Sequence, residues 1–228
     1  MRSSERYPSI EGLPRELPMF PLGGAILLPR VNLPLNIFEP RYLQMFDDAL
    51  SGPRLVGIIQ PAREASERES PLGRNVPLRT VGCAGRISAY QELDDGRLIV
   101  ALSGVIRFSV TAERALERLY RVCDVNFAPF KDDLVLGTGA DDVDRDTLLK
   151  TLKRFLEFRN LKADWAAIGR SPSEQLVNSL SIMSPYGAEE KQALLEAADL
   201  KTRSELLIAL AEMEIAAGNS GSSGSTLQ

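Results

Sequence analysis

The sequence contains no histidine. Histidine is the general base of Ser-His-Asp and Cys-His nucleophile systems and a common zinc ligand, so its absence excludes these sites from the chain. Any catalysis would have to use carboxylates, lysines or tyrosines, and no pair of acidic residues stands at a spacing typical of a hydrolase. The sequence therefore predicts no catalytic residues.

Cysteine is almost as scarce, and Cys83 and Cys123 are the two present. Because they form no CxxC motif, the sequence predicts neither a disulfide framework nor a metal site. Free cysteine is among the residue types that are most often buried. We expect both thiols to lie in the core.

Long apolar runs are also missing. The longest, from Pro21 to Pro29, contains two glycines and ends before Arg30. It is well short of the roughly 20 apolar residues that cross a bilayer. The first residues of the chain do not lead into a signal-peptide core. These features predict a cytoplasmic protein without membrane attachment.

Basic charge is not in excess. The chain has 27 Lys and Arg residues against 31 Asp and Glu residues, a net charge of −4. Such a chain has no overall attraction for phosphate backbones or anionic lipids, so nucleic acid is disfavoured as a partner. The composition, 44% hydrophobic and 25% charged, is that of an ordinary globular protein with apolar material for one or two cores.

Two segments resemble ligand motifs but fail at decisive positions. Gly137 and Gly139 follow an apolar run as in a dinucleotide loop, yet no third glycine follows at the required spacing. The segment from Asp142 begins like a calcium loop, but Thr147 takes the place of the glycine and Lys153 that of the final glutamate. Aspartates here are better explained as caps of the following helix. The sequence therefore predicts no cofactor and no metal.

From about residue 17 to 130 the apolar residues repeat with a period of two, which predicts strands. The Asp-Gly dipeptide within 94–96 predicts a tight hairpin, since glycine supplies the positive φ of such a turn. Short helices are expected near 41–50 and 111–118. The predicted strands contain Leu33, Leu35 and Ile37; residues 55–59; residues 87–89 and 98–102; Ile106, Phe108 and Val110 alternating with Arg107 and Ser109; and residues 120–127. These strands suggest a small, curved, partly closed β structure.

After Asp144 the apolar period becomes helical. Helices are expected from 145 to about 162, after a capping box at 171–174, from 187 to 198, and after a second capping box at 202–205, with Gly218 ending the last one. The sequence thus predicts a β subdomain at 15–130, a helical bundle at 140–217 and a disordered tail at 218–228. Residues 63–79 are polar and predict a mobile loop between two strands.

The prolines of the opening stretch exclude helix from most of it and belong at strand starts, edges and turns. Pro40 is the exception, because proline suits the first position of a helix, here one that runs to Leu50. Glu39 would then lie at the helix N-terminus, where negative charge is favoured, and a pairing with Arg41 would hold the strand-to-helix corner. This structural role is favoured over contact with a ligand.

These residues also resemble those of a known family. The matching segments are LPMFPL (17–22), LP (28–29), LPL (33–35), FEPRY (38–42), VGCAGRI (81–87), DGR (95–97), SGVIRF (103–108) and EEKQALLE (189–196). In this order they resemble the N-terminal substrate-binding domain of Lon proteases over roughly residues 15 to 215, and cereblon has a related domain. The resemblance implies an α+β fold, a PUA-like pseudo-β-barrel followed by about four helices.

The resemblance also implies a function. Lon continues into ATPase and protease modules, which this sequence lacks, so the expectation is a stand-alone, non-enzymatic protein-binding module. It would bind unfolded or exposed polypeptide segments or a partner protein, including an ATP-dependent protease. The candidate binding residues are Phe38, Glu39, Arg41 and Tyr42, with burial of Phe38 and Tyr42 in the core as the alternative. The alternative is RNA binding, as in PUA domains, through Arg54, Arg63, Arg68, Arg74, Arg79 and Arg86. Nearby acids and a shortage of aromatic residues weigh against it.

Overall fold

The computed structural model describes residues 7–63, 76–115 and 117–222, without the side chains of 219–222. Most of the segment predicted as a loop, and residues 223–228 of the predicted tail, lie outside this range. The chain divides into two compact units, Met1–Leu136 with Ile182–Glu196, and Gly137–Ser181 with Ala197–Gln228. Each unit is described by itself.

The first unit is built on a mixed sheet of six strands in the described part of the chain. They are β1 Glu16–Pro21, β2 Asn32–Ile37, β3 Leu55–Pro61, β4 Leu78–Glu92, β5 Leu98–Arg114 and β6 Arg121–Asn126. Their order is β2-β5-β4-β3-β1-β6, and β5 also pairs with β6. The β1–β3 pair is parallel and the other pairs are antiparallel. Because β5 pairs with both β4 and β6, the last strand of this order is also hydrogen-bonded to the second one.

The predicted hairpin is confirmed and is much longer than its sequence pattern suggested. β4 has 15 residues and β5 has 17, and Gly96 occupies the turn with a φ of 79°. The predicted helix at 111–118 is wrong, since residues as far as Arg114 continue β5. Ala112 pairs with Asp124 of β6, so ladder hydrogen bonds from a distant strand override the local helical pattern.

The core of this unit lies against the sheet. It contains Leu17, Met19, Leu55, Ile59, Ala84, Ile106, Phe108, Cys123 and Phe127. Both cysteines are buried and free, as predicted. The backbone at Leu28 passes close to Gly104 of β5. A Cβ atom at residue 104 would lie 1.9 Å from the carbonyl oxygen of Leu28, so this close approach requires glycine.

Arg107, which alternates with apolar residues along β5, is itself buried. Its Nε and Nη2 donate to the carboxylate of Asp133 over 2.9 Å each, and its Nη1 donates to the Leu195 carbonyl over 3.1 Å. Its guanidinium also lies 4.7 Å from the ring centroid of Phe130. The charge is tolerated in the interior because it is paired and hydrogen-bonded.

The helices of the two units agree only in part with those predicted from the sequence. In the described residues they are α1 Pro40–Leu50, α2 Arg145–Phe158, α3 Trp165–Arg170, α4 Ser173–Met183, α5 Ala188–Glu196 and α6 Leu200–Ser222, with short 3-10 helices at Ile10–Gly12, Ala128–Leu134 and Ala140–Asp142. Asp144 caps α2 as predicted, and its side chain accepts a hydrogen bond from the Thr147 amide. The short helix α3, capped by Asp164, was not predicted.

Both predicted ends of the last helix are wrong. The capping box at 202–205 lies inside α6, which begins at Leu200 because the carboxylate of Asp199 accepts a hydrogen bond from the Thr202 amide over 2.7 Å. Gly218 does not end α6, which continues to Ser222. Gly218 instead lies against the ring of Phe158, where a Cβ atom would come within 2.2 Å. The tail predicted at 218–228 therefore begins with helix.

Helix α5 differs from the predicted domain division, which placed it in the bundle at 140–217. It belongs to the compact unit of the sheet. Gln192 of α5 exchanges hydrogen bonds with that sheet, to the side chain of Gln60 in β3 and the carbonyl of Val81 in β4. A helical sequence pattern marks α5 as a helix but does not say which core its buried face covers.

Candidate functional site

The predicted binding residues lie at a corner of the first unit between β2 and α1, here called the Pro40 corner (residues 38–42). β2 ends at Ile37 and α1 begins at Pro40. Glu39 is the N-cap residue in an extended conformation, and its carbonyl oxygen accepts hydrogen bonds from the amides of Tyr42 and Leu43. Proline in the first turn favours this arrangement, because it lacks an amide hydrogen and disfavours a helical residue before it.

An ion pair fixes the outer side of the corner, as the sequence predicted. Nε and Nη2 of Arg41 lie 3.0 and 2.7 Å from Oε2 of Glu39. The guanidinium also lies 4.8 Å from the centroid of the Tyr42 ring. Because both charged side chains remain partly exposed, the pair contributes more to the orientation of Arg41 than to stability.

Tyr42 holds the inner side of the corner. It is buried, and its ring meets the ring of Phe20 edge to face with centroids 4.4 Å apart. Burial raises the pKa of the Tyr42 hydroxyl to about 12. Tyr42 is therefore a core residue that anchors α1, and it has little surface with which to contact a ligand.

Phe38 has the opposite environment, since 64% of its surface is exposed. Leu119, which is 62% exposed, lines a small crevice of the first unit together with Arg41 and Tyr42. With a volume of about 10 Å³ the crevice has room for about one water molecule, so it is not a pocket for a small molecule. The corner thus offers an exposed aromatic side chain on a rigid backbone.

Sequence reasoning missed Leu119, because it lies just after the segment that was wrongly predicted as a helix. It also missed a larger groove of about 590 Å³ where α5 begins beside the end of β3. The groove is lined by Gly23, Gly24, Pro61, Ala62, Arg63 and residues 187–190. No periodic pattern could have found it, since its walls come from three distant parts of the chain.

The buried amides of Gln60 and Gln192 hold the elements around this groove. Gln60 Oε1 accepts a hydrogen bond from the Gly24 amide over 3.0 Å, and its Nε2 donates to the carbonyl of Ala188 and to Gln192. Gln192 Nε2 also donates to Glu196. Buried amides with partners at both ends stabilise one arrangement of the surrounding segments, so these residues shape the groove.

The described residues offer no donor set for a metal ion, because no three acidic or cysteine side chains come together within them. Burial raises the pKa of the Cys123 thiol to about 11, which keeps it protonated and unreactive at neutral pH. Within the same residues, no helix has the length and apolar character needed to span a membrane.

The arginines considered for RNA binding fall only partly within the described residues. Arg68 and Arg74 lie outside the described residues. Arg79 is already paired with Glu189. Its charge is therefore partly neutralised on the surface that phosphate would have to approach.

Comparison with known proteins gives a consistent result. The family model described as the ATP-dependent protease La (LON) substrate-binding domain matches residues 16–212. Lon protease of Flavobacterium johnsoniae is 25% identical over 197 residues, which are 85% of this chain and 23% of that protein. Lon protease 2 of Sorangium cellulosum is 28% identical over 207 residues, 85% of this chain and 24% of that protein. The chain thus spans about a quarter of the length of these relatives.

Solved structures show the same fold. The crystal structure of a Lon N-terminal domain protein from Xanthomonas campestris matches with a TM-score of 0.59 and 24% identity, covering 85% of this chain and 97% of that one. The N-terminal domain of a Mycobacterium avium complex Lon protease matches with a TM-score of 0.61 and 17% identity, covering 86% and 98%.

Proposed function

Because this chain belongs to the LON substrate-binding domain family, we propose that it binds unfolded or exposed polypeptide segments, or a partner protein, without catalysing a reaction. The observation that carries the proposal is Phe38, a large aromatic side chain that is 64% exposed on a corner held from both sides. Aromatic side chains, phenylalanine among them, are enriched at the cores of protein-protein interfaces.

The residues of the Pro40 corner take different roles in this proposal. Phe38 contacts an apolar side chain of the bound segment. Glu39 and Arg41 form the polar rim of the site, and their ion pair fixes the orientation of the Arg41 guanidinium. Tyr42 contacts little of the ligand and holds the corner in place through Phe20.

Two further parts of the proposal concern fold and setting. The return pairing of β5 with β6 supports a PUA-like pseudo-barrel as the architecture of the first unit. The family supports a cytoplasmic role in proteolysis, in which bound segments are delivered to an ATP-dependent protease.

The test is a titration of a labelled, permanently unfolded protein with this chain, followed by fluorescence anisotropy. Saturable binding is expected, and Phe38→Ser is expected to weaken it by roughly tenfold, since truncation of an aromatic anchor costs about 1–2 kcal/mol or more. Tyr90→Ser is the matched control, because Tyr90 is another exposed aromatic residue at 55%. It should leave the affinity unchanged.

Three results would contradict the proposal. One is an absence of binding to the unfolded protein. Another is an equal loss of affinity in the Phe38 and Tyr90 variants, which would place binding elsewhere. The third is binding to a short RNA that weakens steeply with salt, which would favour the RNA-binding alternative.

A further inference from the structure

A second apolar cleft lies in the other compact unit, at the loop between α2 and α3. Its volume is about 280 Å³. Leu161 and Trp165 remain 55% and 43% exposed there. Lys153, Leu156, Glu157, Lys162 and Ala163 form the rest of the wall. We call it the Trp165 cleft.

The loop that forms this cleft is held at both ends by hydrogen bonds. After α2 the chain turns at Asn160, which has a φ of 52°, and the Leu161 amide donates to the Leu156 carbonyl over 2.8 Å. At the other end the Asp164 carboxylate caps α3 by accepting from the Ala167 amide over 3.0 Å. The exposed apolar side chains therefore stand on an ordered backbone, which lowers the entropy cost of binding.

The lysines at the cleft differ from the arginines near them in the chain. Arg154 and Arg159 are paired with Glu212 and Glu214 of α6. Lys153 and Lys162, in contrast, have no hydrogen bond or ion pair within the described ranges 7–63, 76–115 and 117–222. Glu157 is the one acid among the lining residues, so the two lysines leave the lining with a net positive charge of one. The carboxylate of Asp164, in the same loop, is engaged as the cap of α3.

We propose that the Trp165 cleft is a second polypeptide-binding site, which takes an apolar side chain flanked by acidic residues. The apolar side chain contacts Leu161 and Trp165, and the flanking carboxylates pair with Lys153 and Lys162. The proposal rests on the proposed function for the class of ligand. It places a separate site, with its own preference for acidic segments, in the second unit.

The chain provides its own probe for this site, because Trp165 is its only tryptophan. The full chain is titrated with a short capped peptide of alternating Leu and Asp, and Trp165 emission is followed. Peptides in which Asp is replaced by Lys, or Leu by Ser, serve as ligand controls. A saturable change in emission is expected with the Leu-Asp peptide, and its affinity should exceed that of either control by about tenfold.

Variants then separate this site from the Pro40 corner. The double variant Lys153→Glu, Lys162→Glu is expected to lower the affinity for the Leu-Asp peptide by about tenfold, since two attractive charges become repulsive. Lys150→Glu lies on the same helix outside the cleft and should change the affinity by less than about twofold. Phe38→Ser should have no effect on this titration. Circular dichroism spectra of all variants check that the helices remain.

Other outcomes would overturn the inference. If the Lys peptide binds as well as the Asp peptide, charge does not select the ligand. An emission change that depends on protein concentration without peptide would identify a second copy of the chain as the occupant. Loss of peptide binding in Phe38→Ser, with normal binding in the lysine variant, would leave the proposed function standing and remove this second site.

Discussion

Removal of the Asp133 carboxylate is expected to destabilise the first unit by about 4 kcal/mol. Asp133→Ala leaves the guanidinium of Arg107 in the interior without its counter-charge, which typically costs about 3–5 kcal/mol. Asp133 is only slightly exposed and Arg107 less so, so water cannot replace the lost contacts in the folded state.

The hydrogen bonds lost in Asp133→Ala give a similar value for the destabilisation. Nε and Nη2 of Arg107 each lose a carboxylate acceptor at 2.9 Å, and the Arg107 amide loses one at 3.0 Å. The two bonds from the guanidinium alone, at about 1.5–3 kcal/mol each, total about 3–6 kcal/mol. The bond from Nη1 to the Leu195 carbonyl and the contact with Phe130 remain, so the lower part of this range is expected.

Hydrogen exchange of the β4 and β5 amides, measured by mass spectrometry, reports on this unit directly. A loss of about 4 kcal/mol corresponds to exchange that is roughly a thousandfold faster for the most protected amides. Asp133→Asn keeps a carbonyl acceptor and should lose less protection. Asp95→Ala is the control, because it removes an arginine–carboxylate pair at the solvent-exposed hairpin turn and should change nothing measurable.

The reasoning would be refuted by a change of less than tenfold in Asp133→Ala. It would also be refuted if the Asp95→Ala control lost as much protection. Either result would mean that burial of the ion pair does not control the stability of this part of the sheet.

Two other predictions follow from close packing and from burial. Gly104→Ala should prevent normal folding, because its Cβ atom would lie 1.9 Å from the Leu28 carbonyl oxygen. Gly12→Ala is the control and should be tolerated, because nothing lies within 4 Å of the added atom. Thermal melts of both variants check this. The raised pKa of Tyr42 means that the folded chain holds this proton more tightly than the unfolded one, so folding stability should fall as the pH rises from 10.0 to about 12. Tyr42→Phe should reduce this fall in urea titrations across that pH range, and an identical fall in both proteins would contradict the assignment.

Local sequence signals predicted several elements of the fold well. The Asp-Gly turn, the buried run in β3, the N-cap at Asp144 and the Pro40 corner depend on residues a few positions apart. Turn geometry, capping and proline act through such neighbours, so their signals are contained in short segments.

The wrong predictions share a different cause. The segment after Val110 follows a helical pattern but forms strand, because β6 supplies its hydrogen-bond partners. Arg107 alternates with apolar residues in the sequence, yet it is buried, because Asp133 lies beside it in the fold. These outcomes depend on partners that are distant in the chain, and tertiary contacts override weak local preferences.

The candidate sites divide in the same way. The sequence identified the Pro40 corner, its ion pair and the family, because ordered motifs along one chain carry that information. It could not separate exposed Phe38 from buried Tyr42, and it missed the Trp165 cleft. Exposure depends on which distant residues cover a side chain, as Phe20 covers Tyr42, and charge neutralisation depends on which side chains the fold brings within reach. Local order along the chain therefore determined the elements and the family, whereas long-range packing decided which side chains are left free to bind.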